Sequence, residues 1–463
     1  VYALKPDLTL WDGRLRDDVT LVVGDDGRLL PPDAPLPPGT PVRRLAGRAL
    51  LPGLVNGHSH AFQRLLRGRT EYAATGPGQD DFWSWRELMY RAAERMDPEQ
   101  VYLASRQAFV EMARAGITAV GEFHYLHHGP DGTPYADRLE LARQVVRAAR
   151  EAGLRICLLR VGYARAGHGV SPNPRQRRFL DAKVEDFLED ARRLSRELAG
   201  DPLASVGVAP HSVRAVPREW LAATAQALRG EGAFPAVHMH VAEQPKEIEA
   251  CLAEHGVRPV ELLAEAGLLS ERFTAVHGIH LSEREVRLFG EARALVCACP
   301  STERNLGDGV VPADALLAAG VRVSLGTDSQ ASIDLVDEAR QLESHLRLVR
   351  GKRAVLDAGG GRVDGLALRL LGCATEAGAE SLGLETGRLA AGRPADFFTV
   401  DLEHPALAGA DAVSLLPALV FGAPQDAIRE VAVAGRFIVE EGRHPLAAAS
   451  SRAFASLSRS LLA

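Results

Sequence analysis

The run Leu54-Val55-Asn56-Gly57-His58-Ser59-His60 reads as a buried strand that ends in two histidines at i and i+2. Side chains alternate faces along a strand, so His58 and His60 point the same way. Two neutral imidazoles side by side are half of a site for zinc or another divalent transition metal. A lone His-x-His is weak, because many are surface accidents. Three other apolar runs strengthen it. One ends His238-Met239-His240-Val241-Ala242-Glu243, another Val276-His277, and a third Gly326-Thr327-Asp328. Each sets a metal-capable or acid–base side chain where a strand would stop.

Such residues meet only if the strands lie side by side and point the same way. Short apolar runs at 53–56, 117–123, 156–161, 205–209, 236–241, 274–277, 294–299 and 321–326 are mostly continuous, as expected for parallel strands covered on their outer side. Helical patterns at 97–115, 136–152, 181–198, 217–230 and 281–290 lie between them. Eight strands with helical crossovers predict an α/β protein, a (β/α)8 TIM-like barrel, whose chemistry sits at the C-terminal ends of the strands. An open doubly wound sheet would use similar runs, but the glycine-rich phosphate loop of a dinucleotide site is missing. Residues 1–50 show a β-prone run at 18–23, a turn at 24–27 and a proline-rich connection. The tail returns to β-type runs at 397–400, 429–433 and 437–439. These ends predict a small β-sandwich built from both termini (1–50 and 386–463, with a terminal helix), around a barrel at 51–385.

With 463 residues, 46% hydrophobic and 25% charged, the composition is that of a soluble globular protein. A formal net charge of −6 offers no basic excess for phosphates, which argues against a nucleic-acid binder. Five scattered cysteines without a CxxC pair suggest a reducing compartment. The opening residues do not read as a signal peptide, and no apolar run reaches spanning length, so no membrane association and a cytoplasmic location are expected. The chain starts without Met, so a residue or more is expected to precede it.

The set Gly57-His58-Ser59-His60, His240-Val241-Ala242-Glu243, His277 and Gly326-Thr327-Asp328 resembles the amidohydrolase superfamily over essentially the whole chain, and within it the deaminase branch with a mononuclear metal. The resemblance implies that His58, His60, His240 and Asp328 hold one divalent metal per chain, zinc first and iron as the alternative. It implies proton transfer and orientation by Glu243 and His277, with Asp328 also taking a proton from water, and a homodimeric assembly. The chemistry of the side chains agrees. Three neutral nitrogens and one carboxylate leave room for a water whose pKa falls toward neutrality, which makes a hydroxide nucleophile. Glu243 can protonate a leaving nitrogen. Binuclear relatives often bridge two metals with a carboxylated lysine. Here the fourth strand reads Val206-Gly207-Val208-Ala209-Pro210-His211 without one, so a single metal is the simpler expectation, with a bridging Glu122 the lesser one.

Other histidines and cysteines carry blander expectations. His238, one layer below His240, reads as a packed or supporting residue. His127 and His128 read as solvated, His280 as a loop residue, and Cys297 and Cys299 as small core side chains.

The loops choose the substrate. Arg214, in His211-Ser212-Val213-Arg214, offers a planar fork for a carboxylate, with Gln63 and Tyr125 as further hydrogen-bond donors. Arg86, in Phe82-Trp83-Ser84-Trp85-Arg86, would meet a second carboxylate or only pack a lid with the tryptophans. An anionic, amino-acid-derived substrate fits these residues better than a neutral purine. Residues 56–69, 82–91, 122–128 and 209–216 together resemble the N-formimino-L-glutamate deiminases of histidine degradation. That resemblance implies hydrolysis of the C=N carbon with release of ammonia, and substrate contacts from Gln63, Arg86, Tyr125, His211 and Arg214. Two rivals remain. A deaminase of guanine, 8-oxoguanine or an adenosine derivative would be separated by ammonia release from a purine panel. A non-catalytic barrel would be separated by metal analysis.

Overall fold

The computed structural model describes residues 1–463 apart from 33, 72–81, 168, 173, 231 and 463, and apart from the side chains of 82–84 and 462. Strands β1 (Tyr2–Trp11), β2 (Arg14–Arg16), β3 (Leu21–Val23) and β4 (Val42–Pro52) open the chain. Eight strands then alternate with helices: β5 (Leu54–Ser59), β6 (Ile117–His124), β7 (Arg155–Gly162), β8 (Ala204–Pro210), β9 (Val237–Val241), β10 (Phe273–His277), β11 (Leu295–Ala298) and β12 (Arg322–Leu325). Strands β13 (Phe397–Asp401), β14 (Ile428–Val433) and β15 (Arg436–Val439) close it, followed by a terminal helix, Ala447–Leu462.

Strands β5 to β12 pair in sequence order into one parallel sheet. Beyond the strand ends a parallel bridge joins Ser59 to Asp328, drawing the first and last strands together. His60 N donates to Asp328 O (3.0 Å) and Asp328 N to His58 O (3.0 Å), so the same closure that completes the barrel sets three candidate ligands side by side. The approach needs a glycine. A Cβ on Gly326 would lie 2.8 Å from His58 Cβ and 2.8 Å from His58 O. All eight sequence-predicted strands are present, seven within one residue of their expected ends and β5 running three residues further, to Ser59. Their side chains are buried on both faces of the sheet along most of each run.

The terminal β-domain is also present, as one hydrogen-bonded sheet in the order β15-β14-β13-β4-β1-β2, with β3 also on β1. One face forms its own small core from Leu4, Trp11, Leu21, Leu50 and Phe397. The other face joins the barrel core through Ala49, Leu51, Phe398, Val400 and Val431. The long strands β1 and β4 differ from the short runs expected over 1–50. Pro6 discourages a strand reading, yet it pairs with Leu45 of β4 between the stretches of β1 taken by β3 (Tyr2–Leu4) and β2 (Thr9–Trp11), so its other side meets no strand. The β1–β4 register shifts between Pro6 and Leu8. Gly47 fits that irregularity in β4 with φ 68°, and its N–H donates to Asp7 Oδ2 at 2.8 Å. Among the described residues no helix is long and apolar enough to cross a membrane.

Candidate metal and active site

The four expected ligands come from the ends of three strands: His58 in β5 and His60 one residue beyond it, His240 in β9, and Asp328 three residues after β12. One ligand atom from each of the four lies within 4.8 Å of the others, and all four residues are buried. His58 Nε2 faces His60 Nε2 at 3.2 Å, and Asp328 Oδ1 lies 3.4 and 3.3 Å from the two. Burial lowers the His58 imidazole to about 3 and also lowers His60 and His240, which favours the uncharged ring in all three.

The outer nitrogens explain which way the lone pairs point. His60 Nδ1 lies 3.0 Å from the Phe123 carbonyl, and His240 Nδ1 lies 3.2 Å from the His211 carbonyl. A carbonyl only accepts, so each Nδ1 carries the proton and each Nε2 presents its lone pair inward. Two lone pairs converging beside a carboxylate are poorly satisfied by one another. They fit a divalent cation, and these four residues are the set that would hold it. His58 differs, since its buried Nδ1 has no hydrogen-bond partner.

The turn between His58 and His60 is braced from β6. Glu122 accepts Ser59 Oγ at 2.6 Å and Ala61 N at 2.8 Å, while burial pushes its carboxyl up to about 8. Both oxygens are thus engaged by the turn, which makes Glu122 a strut for the histidine pair. Glu122→Ala would leave two buried donors unsatisfied, at about 1–3 kcal/mol each. Denaturant unfolding should show that loss, and zinc titration should show weaker binding. Unchanged values for both would remove the strut role.

Proton-handling groups surround the cluster. His277 Nε2 lies 3.5 Å from Glu243 Oε1 and 3.8 Å from Asp328 Oδ2, and its Nδ1 lies 3.3 Å from Glu303 Oε1. Burial alone would lower the His277 imidazole, but Glu243, Glu303 and Asp328 hold it well above its usual value. Burial raises Glu243 against the pull of His277 and Arg214. Burial also works to raise Asp328, yet the His58 hydrogen bond and the nearby imidazoles hold it well below the usual range. Two carboxylates pushed in opposite directions suit one to hold a proton and the other to stay ionised. His277 (φ 72°) and Asp328 (φ 45°) sit in the left-handed region, as does Ala242 (φ 54°) beside Glu243. Backbone strain of this kind clusters where side chains must be aimed.

A narrow cavity opens over the cluster. Gln63, Arg86, Tyr125, His211 and Arg214, the five expected substrate contacts, all line it with His60, His240, Glu243, His277 and Asp328. Arg86 lies on the helix Phe82–Glu94, its guanidinium 5.5 Å from the Tyr90 ring centroid, so it faces the cavity and does not only pack a lid. Of its neighbours, the side chains of Phe82, Trp83 and Ser84 lie outside the described residues. Gln63 Nε2 donates to Tyr125 Oη at 2.7 Å. Arg214 lies between two carboxylates, 3.6 Å from Glu243 Oε2 and 3.5 Å from Glu247 Oε2.

Sequence reasoning missed Glu303, Glu247 and the aromatic wall of Tyr90, Tyr163 and Phe179. Glu303 follows β11 in the first turn of the helix Pro300–Leu306 and accepts Cys299 N at 2.7 Å. The Pro-x-x-Glu spacing at a helix start was its available signal. His127 and His128, expected to be solvated, are buried instead. Their Nε2 atoms bond the Val161 (2.9 Å) and Leu180 (2.7 Å) carbonyls, because the segment after β6 folds under the chain around Arg178. His238 is packed as expected, on the Ser381 carbonyl at 2.6 Å, and Cys297 and Cys299 are buried.

Comparison with known proteins agrees with this geometry. Residues 49–438 match the amidohydrolase family. The chain is 42% identical over 419 residues to a formimidoylglutamate deiminase from Pseudomonas aeruginosa, covering 90% of each. It is 33% identical over 399 residues to a 5-methylthioadenosine/S-adenosylhomocysteine deaminase from Natronomonas pharaonis, covering 85% of this chain and 82% of the relative. The crystal structure of an amidohydrolase from Brucella melitensis superposes with a TM-score of 0.89 at 36% identity over all of both chains. The barrel with its buried three-histidine, one-aspartate mouth, matched over most of its length, therefore belongs to the amidohydrolase family.

Proposed function

We propose that this chain hydrolyses N-formimino-L-glutamate to N-formyl-L-glutamate and ammonia. The observation that carries the reading is the pair of arginines, Arg86 and Arg214, lining one cavity with the candidate metal ligands and Glu243. A linear amidine with two carboxylates matches two guanidinium forks, whereas a neutral purine offers a carboxylate to neither. The 42% identity to a formimidoylglutamate deiminase supports the same substrate.

A divalent cation held by His58, His60, His240 and Asp328, zinc first and iron as the alternative, would supply Lewis acidity and lower the pKa of a water. The protein does the rest. Arg86 and Arg214 hold the carboxylates, with Gln63, Tyr125 and His211 along the glutamyl chain, so that the formimino carbon sits over the ligand cluster. Asp328, held ionised, takes a proton from the attacking water. Glu243, raised by burial, protonates the imino nitrogen as the water oxygen bonds the carbon. The proton taken by Asp328 then completes the ammonia, which leaves as the tetrahedral hydroxyl returns its proton to Glu243 and the new C=O forms, so that both water protons end on ammonia. His277 steadies the developing oxyanion, oriented from behind by Glu303.

The test is ammonia release from N-formimino-L-glutamate beside 5-methylthioadenosine, S-adenosylhomocysteine, adenosine and guanine, with metal content measured on the same sample. Turnover of the amidine alone, at about one metal per chain, is the expected result. Turnover of a purine alone would transfer the reading to the second group of relatives, whose ring the wall of Tyr90, Tyr163 and Phe179 would then stack. Arg214→Ala should mainly raise KM, by roughly 10- to 100-fold, the worth of a charged hydrogen bond of about 1.5–3 kcal/mol. An unchanged KM would move the carboxylate site elsewhere.

A further inference from the structure

Glu247 lies behind the cavity and does not line it, yet it contacts Arg214, which the proposed reaction uses for recognition, and the backbone N–H of Ala242, the residue before the proton donor. It is fully buried in the first turn of the helix Pro245–His255. One carboxylate oxygen, Oε1, accepts the Ala242 N–H at 2.9 Å. The other, Oε2, lies 3.5 Å from Arg214 Nε, while Arg214 Nη2 reaches 3.6 Å to Glu243 Oε2. Ala242 precedes Glu243 directly and holds φ 54°, a left-handed conformation in which an L-residue's Cβ crowds the following carbonyl oxygen. The turn therefore needs external support. His280 N provides part of it by donating to Ala242 O at 2.9 Å, and Glu247 holds the N–H of the same residue, so the peptides on both sides of Ala242 are fixed.

We infer that Glu247 is a positioning residue that locks Arg214 and the Ala242–Glu243 turn into one unit, so that the substrate's carboxylate and the proton donor are set by a single buried carboxylate. The inference rests on the reading of Arg214 as the carboxylate fork. A guanidinium flanked by two carboxylates keeps a partner when the substrate draws it away from one of them. With Glu247 charged, Arg214 can turn toward the substrate and release Glu243 without leaving its place. Without that charge, Glu243 becomes the stronger partner, and Arg214 and Glu243 hold each other out of use. A carboxylate that only caps its helix would act on the turn alone and would be indifferent to Arg214.

A double-mutant cycle on the metal-loaded enzyme separates these roles. Glu247→Gln keeps an oxygen for the Ala242 N–H and removes the charge. With Arg214 present it should lower kcat/KM for N-formimino-L-glutamate by about tenfold or more, through both KM and kcat, at unchanged metal content. In the Arg214→Ala background the same change should cost less than about twofold, and Tm should rise, because a buried carboxylate without its cation is relieved. Glu247→Asp, which keeps the charge on a shorter arm, should lose less than Glu247→Gln. Equal losses in both backgrounds, no loss with Arg214 present, or a larger loss for Asp than for Gln would each overturn the inference. The Tm comparison needs no turnover. It decides the role of Glu247 even if the wild-type protein fails on N-formimino-L-glutamate, a failure that would count against the proposed function alone.

Discussion

Glu243→Gln is expected to cut kcat by about 10²–10⁴ while the protein keeps its full complement of metal and its fold. The glutamine has nearly the same shape and can still contact His277 and Arg214, so the cavity should survive. What it loses is the proton. Glu243 lies 3.5 Å from His277, and burial raises its carboxyl, so it can hold a proton until the leaving nitrogen needs it. An amide has none to deliver. The measurement is steady-state kinetics beside metal analysis of the same preparation. Wild-type kcat in the variant would remove Glu243 as the acid, and His277 would then be the remaining candidate. Loss of activity together with loss of metal would instead make Glu243 a support for the ligand cluster.

Removal of the metal should have the largest effect of all. Chelation, or His240→Ala, is expected to take metal content from about one per chain to near zero, with turnover falling on the order of a thousandfold or more, the rate equivalent of several kcal/mol. Zinc should restore the chelated wild type and fail to restore the variant at equal concentration. The reason lies in the ligand set: His240 supplies one of three converging lone pairs and is oriented by the His211 carbonyl at 3.2 Å. The stripped protein should also melt earlier, since any ligand of the native state alone stabilises it. Full turnover by protein shown to be free of metal would sink the metal-centred reading.

The strand ends in the barrel were legible because each is a short apolar run that ends at a residue unsuited to a core. His58, His60, His240, His277 and Asp328 interrupt their runs at positions where burial without a purpose would be costly. Parallel pairing in sequence order then brings them together, and the Ser59–Asp328 bridge completes the ring. Local patterning and strand order were enough for that, and Gln63, Tyr125, His211 and Arg214 shared in it because each lies within four residues of a strand end, whereas Arg86 is brought to the cavity by the helix Phe82–Glu94.

Residues whose role depends on distant partners were not legible in this way. Glu122 reads as one carboxylate among many until β6 is seen to place it against Ser59 and Ala61. Glu303 and Glu247 each stand in the first turn of a helix, where an acidic residue is ordinary, and only the packed barrel aims one at His277 and the other at Arg214. His127 and His128 looked solvated because adjacent polar residues usually are. The segment carrying Arg178 covers them, and their imidazoles bond carbonyls contributed from 34 and 52 residues away in the chain. The long pairing of β1 with β4 was hidden by Pro6, since whether a strand tolerates a proline depends on where its partners leave one side open. Periodicity and the residue at a strand's end are local properties and can be read along a chain. The partner of a buried charge is set by packing between elements far apart in sequence, and that is fixed only once the barrel has closed.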